Sequence, residues 1–378
     1  MAGKRDRWSE RRRRERGWHR IAPALILALA VLALVALGGV SGAAKKKRGA
    51  GKLPRGPYPS LGSCQVFPRA SVGPAAPSVG DQSAWNQDIS QAPLDPNSAN
   101  YIAHILANGG EDTHPDWGYQ REYGFPYAVV GRKQKPLKVK FTAYGDESDR
   151  GPYRVPPKAM VEGGQASEGD RHVLAIDRKR CRLFELYRAF FITKRVAPSS
   201  IKRVAPLGAP SRLRSTLAPH WNADSGAIWD LRSAALRPDG WTSADAAGLP
   251  IFPGLVRFDE AASGQIDHAL RMTVARTQDA WIHPASHCAG ATGDPNAPPM
   301  GLRLRLNAGY DISGFNPHAR AIATALKRYG AFIADNGSNF YISGVSDKRW
   351  TDAIIQPLRN IPGFAFEVVQ SAEPIHRC

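Results

Sequence analysis

The sequence lacks the short motifs that identify the common enzyme classes. It has no G-x-S-x-G nucleophile elbow, no phosphate-binding Walker loop and no dinucleotide-binding glycine fingerprint. Its four cysteines include no C-x-x-C pair, so nothing supports a zinc ribbon. Long amphipathic helical patterns are scarce, whereas Gly and Pro number 36 and 30. This composition favours a β-rich fold with many turns.

The positive charge is concentrated at the N-terminus. Residues 1–55 carry +12 of the formal net charge of +18, so the rest of the chain is only mildly basic. Most of the charge therefore belongs to a targeting segment and not to a recognition surface. This distribution disfavours nucleic-acid binding.

Residues 21–40 form an uncharged apolar run with basic segments on both sides. About 20 apolar residues in a helix span a bilayer, and the flanking charges place the N-terminus in the cytoplasm. The small residues 41–44 also fit a signal-peptidase site. Two interpretations stay open: a single-pass anchor in the cell membrane, or the cleaved signal peptide of a secreted protein.

We divide the chain into a basic cytoplasmic segment (1–20), a transmembrane or signal helix (21–42), a basic flexible linker (43–62) and an extracytoplasmic β-rich domain (63–378). Disulfides persist outside the cytoplasm, which fits the cysteines of that domain. Four cysteines allow three connectivities, and the sequence does not choose among them. The cysteines are Cys64, Cys181, Cys288 and Cys378.

Short runs of alternating apolar residues predict the strands. They lie at 137–144, 172–176, 183–187, 302–306, 331–335 and 340–343. Asn336-Gly337 is a typical hairpin turn between the last two, and Arg303 and Arg305 are expected on the solvent side of their strand. One helix is predicted over 318–330, with Gly330 at its C-cap. We therefore predict a mainly β fold, with an antiparallel sandwich or jelly-roll-like body and a small α+β C-terminal part.

The hairpin at 171–189 carries the main catalytic hypothesis. If its turn is Asp177–Arg180, His172 lies directly opposite Glu185, with Cβ atoms about 4.5–5.5 Å apart. Mutual charge and partial desolvation would shift both pKa values, and such coupled pairs suit acid–base catalysis or metal ligation. The alternative is a salt bridge that only holds the hairpin together.

Aromatic residues and carboxylates recur in the segments 220–231 and 241–260. Aromatic rings stack on sugars and carboxylates bind hydroxyls or exchange protons, so these segments suggest a sugar subsite. The alternative is an ordinary buried loop, in which the same residues also occur. Asp230 is the candidate for a second catalytic carboxylate. The predicted substrate-binding residues are Trp229, Trp241, Glu260, His268 and Arg303.

Long collinear blocks carry a resemblance to a known family. They include RHVLAID, CRLFELY, SGAIWDL, GWTSADAAGLPIFPGLVRFDE, IDHALR, PPMGLRLRL and YGAFIADNGS. Between Cys64 and Val369 the chain resembles a family of secreted bacterial proteins without an established activity. The resemblance implies an exported, single-domain, β-rich protein, and it implies no reaction and no catalytic residues.

Three functions follow as hypotheses. The first is an exported or membrane-anchored carbohydrate-active hydrolase or lyase without a cofactor, acting on polysaccharide or cell-wall glycan. In it Glu185 is the acid or base and His172 tunes its pKa. The second is a non-catalytic cell-surface protein that binds such glycans. The third is a secreted metalloprotein with histidine ligands. Its ligands would come from His172, His268, His283 and His287.

Overall fold

The computed structural model describes residues 57–64, 66, 83–119, 123–193, 218–290 and 292–378. The strands are β1 (His114–Asp116), β2 (Tyr127–Val130), β3 (Val139–Phe141), β4 (Val173–Asp177), β5 (Arg182–Tyr187), β6 (Phe190–Ile192), β7 (His220–Ala223), β8 (Ser225–Asp230), β9 (Leu270–Val274), β10 (Ala280–Ile282), β11 (Arg303–Leu306), β12 (Ala331–Asn336), β13 (Tyr341–Ser343), β14 (Phe366–Val368) and β15 (Ile375–Arg377). The α-helices are α1 (Ser98–Ala107), α2 (Phe258–Ser263), α3 (Pro317–Arg328) and α4 (Asp352–Ile355). The predicted mainly β fold is confirmed.

The largest sheet is mixed, with the strand order β1-β13-β9-β12-β11-β14. β1 runs parallel to β13, and β12 runs parallel to β9. The β2–β4 and β3–β7 pairs of the smaller sheets are parallel as well. The prediction of an antiparallel body is therefore corrected. Apolar alternation shows which side of a strand is buried, but it does not encode the direction of the neighbouring strand.

The predicted hairpin around Asn336-Gly337 is also wrong as a strand pairing. β9 lies between β12 and β13, so that Met272 is the partner of both Ile333 and Ile342. The chain does reverse after Asn336, but each of the two strands pairs with β9 and not with the other. β9 is buried along most of its length, although Arg271 and Thr273 alternate with the apolar residues in its sequence.

A four-stranded sheet (β2-β4-β5-β8) packs face to face with a three-stranded sheet (β3-β7-β6). Their common core includes Tyr153, Val173, Ala175, Phe184, Leu186, Trp221 and Ala223. Strand alternation places Leu174 and Glu185 on the opposite face of the four-stranded sheet. That face is buried too, because the segment 244–252 covers it. The candidate site lies on this second face.

Helix α3 confirms the predicted helix near 318–330. Its first turn is capped by the Asn316 side chain, which accepts from the backbone N–H of Ala319, and Pro317 occupies the first helical position. Gly330 follows the helix with a φ of 69°, a left-handed conformation that glycine adopts without a steric penalty.

The structure selects one of the three disulfide connectivities: Cys64–Cys181 and Cys288–Cys378. The first joins the segment 57–64 to the hairpin between β4 and β5. Within the part of the chain described here, none of the helices has the length and apolar character to cross a bilayer. The predicted segments 1–20 and 21–42 and most of the linker 43–62 lie outside the described residues.

Removal of the Cys288–Cys378 disulfide should lower the stability of the fold. This bridge closes a loop with a sequence separation of 90 residues, and loss of such a constraint typically costs about 2–4 kcal/mol. We expect the Cys288→Ala/Cys378→Ala variant to unfold at a lower urea concentration than the oxidised wild type. Reductant should move the wild type toward the variant, and an unchanged midpoint in the variant would contradict this role.

Candidate active site

His172 and Glu185 do not form the predicted cross-strand pair. Glu185 lies opposite Leu174, and Asp177 lies opposite Arg182, so four residues form the loop of the hairpin. Cys181, the last loop residue, has a φ of 50° and is held by its disulfide. The predicted turn pairs Asp177 with Arg180 and leaves two residues in the loop. The observed loop is two residues longer, so the register is shifted by two positions. Both side chains stay on the predicted face, because the side-chain period of a strand is two.

His172 instead pairs with Glu162, which precedes the hairpin. Its Nδ1 lies 2.6 Å from the Glu162 carboxylate, and its Nε2 lies 3.0 Å from the carbonyl oxygen of Ala244. Each ring nitrogen thus has an acceptor, which favours the doubly protonated ring. Burial alone would lower the pKa of His172, but the Glu162 carboxylate outweighs burial and raises it to about 9. The same pairing holds the pKa of Glu162 below its ordinary value, against the effect of burial.

Arg271 lies beside this pair, on one face of the central strand β9. Its guanidinium donates to both carboxylate oxygens of Asp245, at 3.0 and 2.7 Å, and to the Ser343 hydroxyl at 2.7 Å. A longer contact of 3.4 Å reaches Asp335. The ring of Phe125 contacts both His172 and Arg271. Its centroid lies 5.2 Å from that of the His172 ring and 5.5 Å from the guanidinium carbon of Arg271.

Asp116 joins the group from the edge strand β1. It is the register partner of Ser343, so its side chain shares the sheet face of the Ser343 hydroxyl that binds Arg271. Burial, with the nearby Glu162 charge, raises the pKa of Asp116 to about 6. We call the whole group the central cluster. Its members are Asp116, Glu162, His172, Asp245, Arg271 and Asp335.

Solvent reaches the two sides of the central cluster unequally. The side chains of His172 and Arg271 are only 3% exposed, and that of Asp245 is 0% exposed. Glu162 is 20% exposed, and Asp116 is also only partly buried. Asp116 and Glu162 are thus the members of the central cluster that solvent reaches most, and they stand above a largely enclosed base of ion pairs.

Two carboxyl groups of the central cluster have pKa values shifted in opposite directions. Glu162 is an ionised carboxylate held by an imidazolium, whereas the raised pKa of Asp116 keeps a proton available near pH 6. Environments that drive two neighbouring carboxyl pKa values apart assign one group as acid and the other as base or nucleophile. The arrangement is suited to acid–base catalysis.

Glu185 has a structural role in this arrangement. Its side chain is fully buried and accepts from the indole N–H of Trp229 at 3.0 Å and from the backbone N–H groups of Ile251 and Phe252 at 3.0 and 2.9 Å. Burial raises the pKa of Glu185 to about 7. It fastens the segment 244–252 to the four-stranded sheet, and a polymer does not reach it.

Asp230, Trp229 and Trp241 do not form one site together with His172 and Glu185. Asp230 is opposite Arg182 on the sheet face that points away from Glu185, and a hydrogen bond from Arg232 lowers its pKa. The guanidinium of Arg237 lies 5.4 Å from the Trp229 ring and 5.5 Å from the Trp241 ring. The cavity beside Trp229 measures about 20 Å³, which is too small for a sugar.

Glu260 and His268 come together in a second place, a polar cleft of about 470 Å³. Glu260 is paired with Arg257, and His268 Nε2 lies 3.3 Å from its carboxylate. Burial opposes ionisation, but the charges of Arg257 and His268 outweigh it and lower the pKa of Glu260 to about 2. Asn86, Gln265 and Asp267 also line this cleft, so it offers many hydrogen-bonding groups.

Arg303 is not on a solvent face, and this prediction is wrong. Its guanidinium donates to the carbonyl oxygens of Tyr329 and Gln87 and lies 4.8 Å from the Phe332 ring. Arg305 is likewise buried and paired with Glu367. The segment that contains Gln87 covers both arginines, and strand alternation alone does not reveal such a cover. Burial lowers the pKa of Arg303 to about 9.

The four histidines of the metalloprotein hypothesis do not converge within the described part of the chain. His172 pairs with Glu162 and His268 with Glu260. His287 Nδ1 lies 2.8 Å from the carbonyl oxygen of Ala246. His283 lies with Asp239, at 2.9 Å. The proposed common ligand set is therefore corrected.

Sequence reasoning missed Asp116, Glu162, Asp245 and Arg271. These residues come from four segments that no local pattern connects. One signal was present: Arg271 interrupts the apolar run ALRMTV, and a charge inside a central strand needs partners. Comparisons of the chain with protein-family models, with curated proteins and with solved structures give no match.

The ion pair of His172 should make stability depend on pH with a defined sign. The folded-state pKa of His172, about 9, lies above its ordinary value of 6.5, so the pair stabilises fully below pH 6.5 and is lost as pH rises through 9. We expect His172→Gln to lower the free energy of unfolding by roughly 3 kcal/mol near pH 6 and by much less above pH 9. Urea unfolding at pH 6, 8 and 9.5 measures this, with His220→Gln as the control. A pH-independent loss would contradict the ion pair.

Proposed function

We propose that this protein is an exported carbohydrate-active hydrolase in which Asp116 and Glu162 are the catalytic carboxyl groups. The observation that carries the proposal is the pair itself: two partly exposed carboxyls above a buried base of ion pairs, one protonated near pH 6 and one ionised. Hydrolysis of a glycosidic bond requires such an acid and such a base or nucleophile.

In this proposal Asp116 donates its proton to the glycosidic oxygen as the bond to the leaving sugar breaks. Glu162 supplies the second half of the reaction, either by attacking the anomeric carbon or by deprotonating the water that attacks it. The distance between the two carboxyls in the substrate complex decides between these routes, and product stereochemistry reports the outcome.

The buried members of the central cluster position the catalytic pair. His172 orients Glu162 through the 2.6 Å contact and keeps it ionised. Arg271, fixed by Asp245 and Ser343, balances part of the negative charge that the clustered carboxylates would otherwise build up. Both act through other residues, so they are positioning residues in this scheme.

The predicted extracytoplasmic location supports a polymeric glycan as the substrate. The basic-flanked apolar run at 21–40 is typical of an export signal or anchor, and both disulfides fit an oxidising compartment. The polar cleft with Glu260 and His268 favours a second candidate function, binding of glycan without cleavage. Its amide and carboxylate groups suit hydroxyl-rich ligands.

Substitution of either catalytic carboxyl should abolish most of the activity. We would incubate the full-length chain with a panel of neutral and uronate-containing polysaccharides and measure new reducing ends and unsaturated-uronate absorbance. We expect Asp116→Asn and Glu162→Gln to lower turnover by about 10²–10⁴-fold. Asp230→Asn is the matched control, because Asp230 lies on another sheet face and should leave turnover unchanged.

Each contrary outcome points to one alternative. Equal turnover in Asp116→Asn, Glu162→Gln and the wild type would remove the proposed pair. Unsaturated products would indicate a lyase instead of a hydrolase. Glycan binding without turnover, weakened by Glu260→Gln, would favour the binding function of the polar cleft.

The pH dependence of the reaction tests which group is the acid. Because Asp116 acts in its protonated form and has a pKa of about 6, kcat/KM should fall as pH rises through 6. Asp116→Asn should lose this limb of the profile, and an aryl glycoside with an activated leaving group should restore much of its rate. An unchanged limb in that variant would show that another group donates the proton.

A further inference from the structure

A cluster of potential metal ligands lies at the C-terminal strand, apart from the central cluster. One ligand atom from each of Asp239, His283 and His376 lies within 4.8 Å of the other two. The Nε2 atom of His283 is 2.9 Å from the Asp239 carboxylate, and the His283 and His376 rings are 4.9 Å apart. Two imidazoles and one carboxylate are a ligand set that zinc accepts, with its fourth position left to water.

The three segments that carry these ligands are fastened to one another. β15 pairs with β10 so that His376 is opposite Trp281, and the two rings stack at 5.1 Å. The Cys288–Cys378 disulfide holds the end of β15. The turn that contains Asp239 is attached at the next residue, where the Gly240 N–H donates to the carbonyl of Ser286 at 2.7 Å. The ligands are therefore prepositioned by backbone contacts.

Two further observations point to a metal. The Nε2 atom of His376 is enclosed and has no hydrogen-bond partner within the described residues, which is costly for a polar atom unless something binds it. On the far side of His283, Nδ1 lies 3.4 Å from the Glu373 carboxylate. Metal-bound histidines typically donate their second ring N–H to such a carboxylate, which fixes the tautomer.

We propose that Asp239, His283 and His376 bind a divalent transition metal, with zinc as the best fit, and that the Glu373 carboxylate accepts a hydrogen bond from Nδ1 of His283. The metal takes the place of the proton that His283 Nε2 shares with Asp239, and this proton goes to solvent. Affinity therefore falls in acid. The bound ion joins the C-terminal strand to the loop at 239 and leaves one coordination position open to solvent or to an anionic ligand.

Zinc binding to the oxidised full-length chain, purified without a polyhistidine tag, tests the site. Titration calorimetry with zinc chloride should show one zinc per chain. Asp239→Asn and His376→Gln should each weaken binding by at least 10-fold, and Glu373→Gln by about 10–100-fold. His220→Gln is the matched control, since its histidine lies outside the cluster, and it should bind zinc like the wild type.

A second measurement keeps the test independent of folding defects. Cobalt added to the wild type should give the visible absorption of a four-coordinate site, and zinc should displace it. The proposal is overturned if the wild type binds no zinc at millimolar concentration, or if Asp239→Asn and Glu373→Gln, both folded by circular dichroism, bind it as tightly as the wild type. The catalytic proposal does not depend on either outcome, because Asp116 and Glu162 are not ligands.

Discussion

The buried guanidinium of Arg271 is the interaction on which the rest of the site depends. Two carboxylates, Asp245 and Asp335, lie against it, and their side chains are 0% and 12% exposed. Without the cation these charges would be unpaired, a condition that costs several kcal/mol in a protein interior. Because Arg271 sits on the central strand of the largest sheet, its bonds also fix the segment 244–252 above that sheet.

The segment 244–252 connects the largest sheet to the four-stranded sheet. From it, Ala244 offers its carbonyl oxygen to His172, and Ile251 and Phe252 donate to Glu185 of the four-stranded sheet. Arg271 holds the same segment from the other side, through Asp245. The second face of the four-stranded sheet is thus covered by this segment. The buried polar groups at that face have hydrogen-bond partners in it, as buried polar groups generally do. Solvent reaches the cluster at Asp116 and Glu162, where the acid and the base of the proposed reaction lie.

The hairpin shows how far local reasoning reaches. Alternation correctly placed His172 and Glu185 on one face, because a register shift of two leaves side-chain direction unchanged. Their pairing failed because Cys181 adopts a left-handed conformation in a four-residue loop and is tied to distant Cys64. The true partner of His172 is Glu162, ten residues earlier in an irregular segment, where no periodic pattern exists to read.

The sequence by itself determined the features that depend on neighbouring residues: the mainly β character, the positions of six of the fifteen described strands, helix α3 with the glycine that follows it, and the common face of His172 and Glu185. Strand direction and order, the disulfide pairing and the grouping of Asp116, Glu162, His172 and Arg271 were decided only by tertiary structure. The physical reason is that these contacts join residues far apart in the chain. Burial and mutual charge then set their pKa values, and neither acts before the chain has folded.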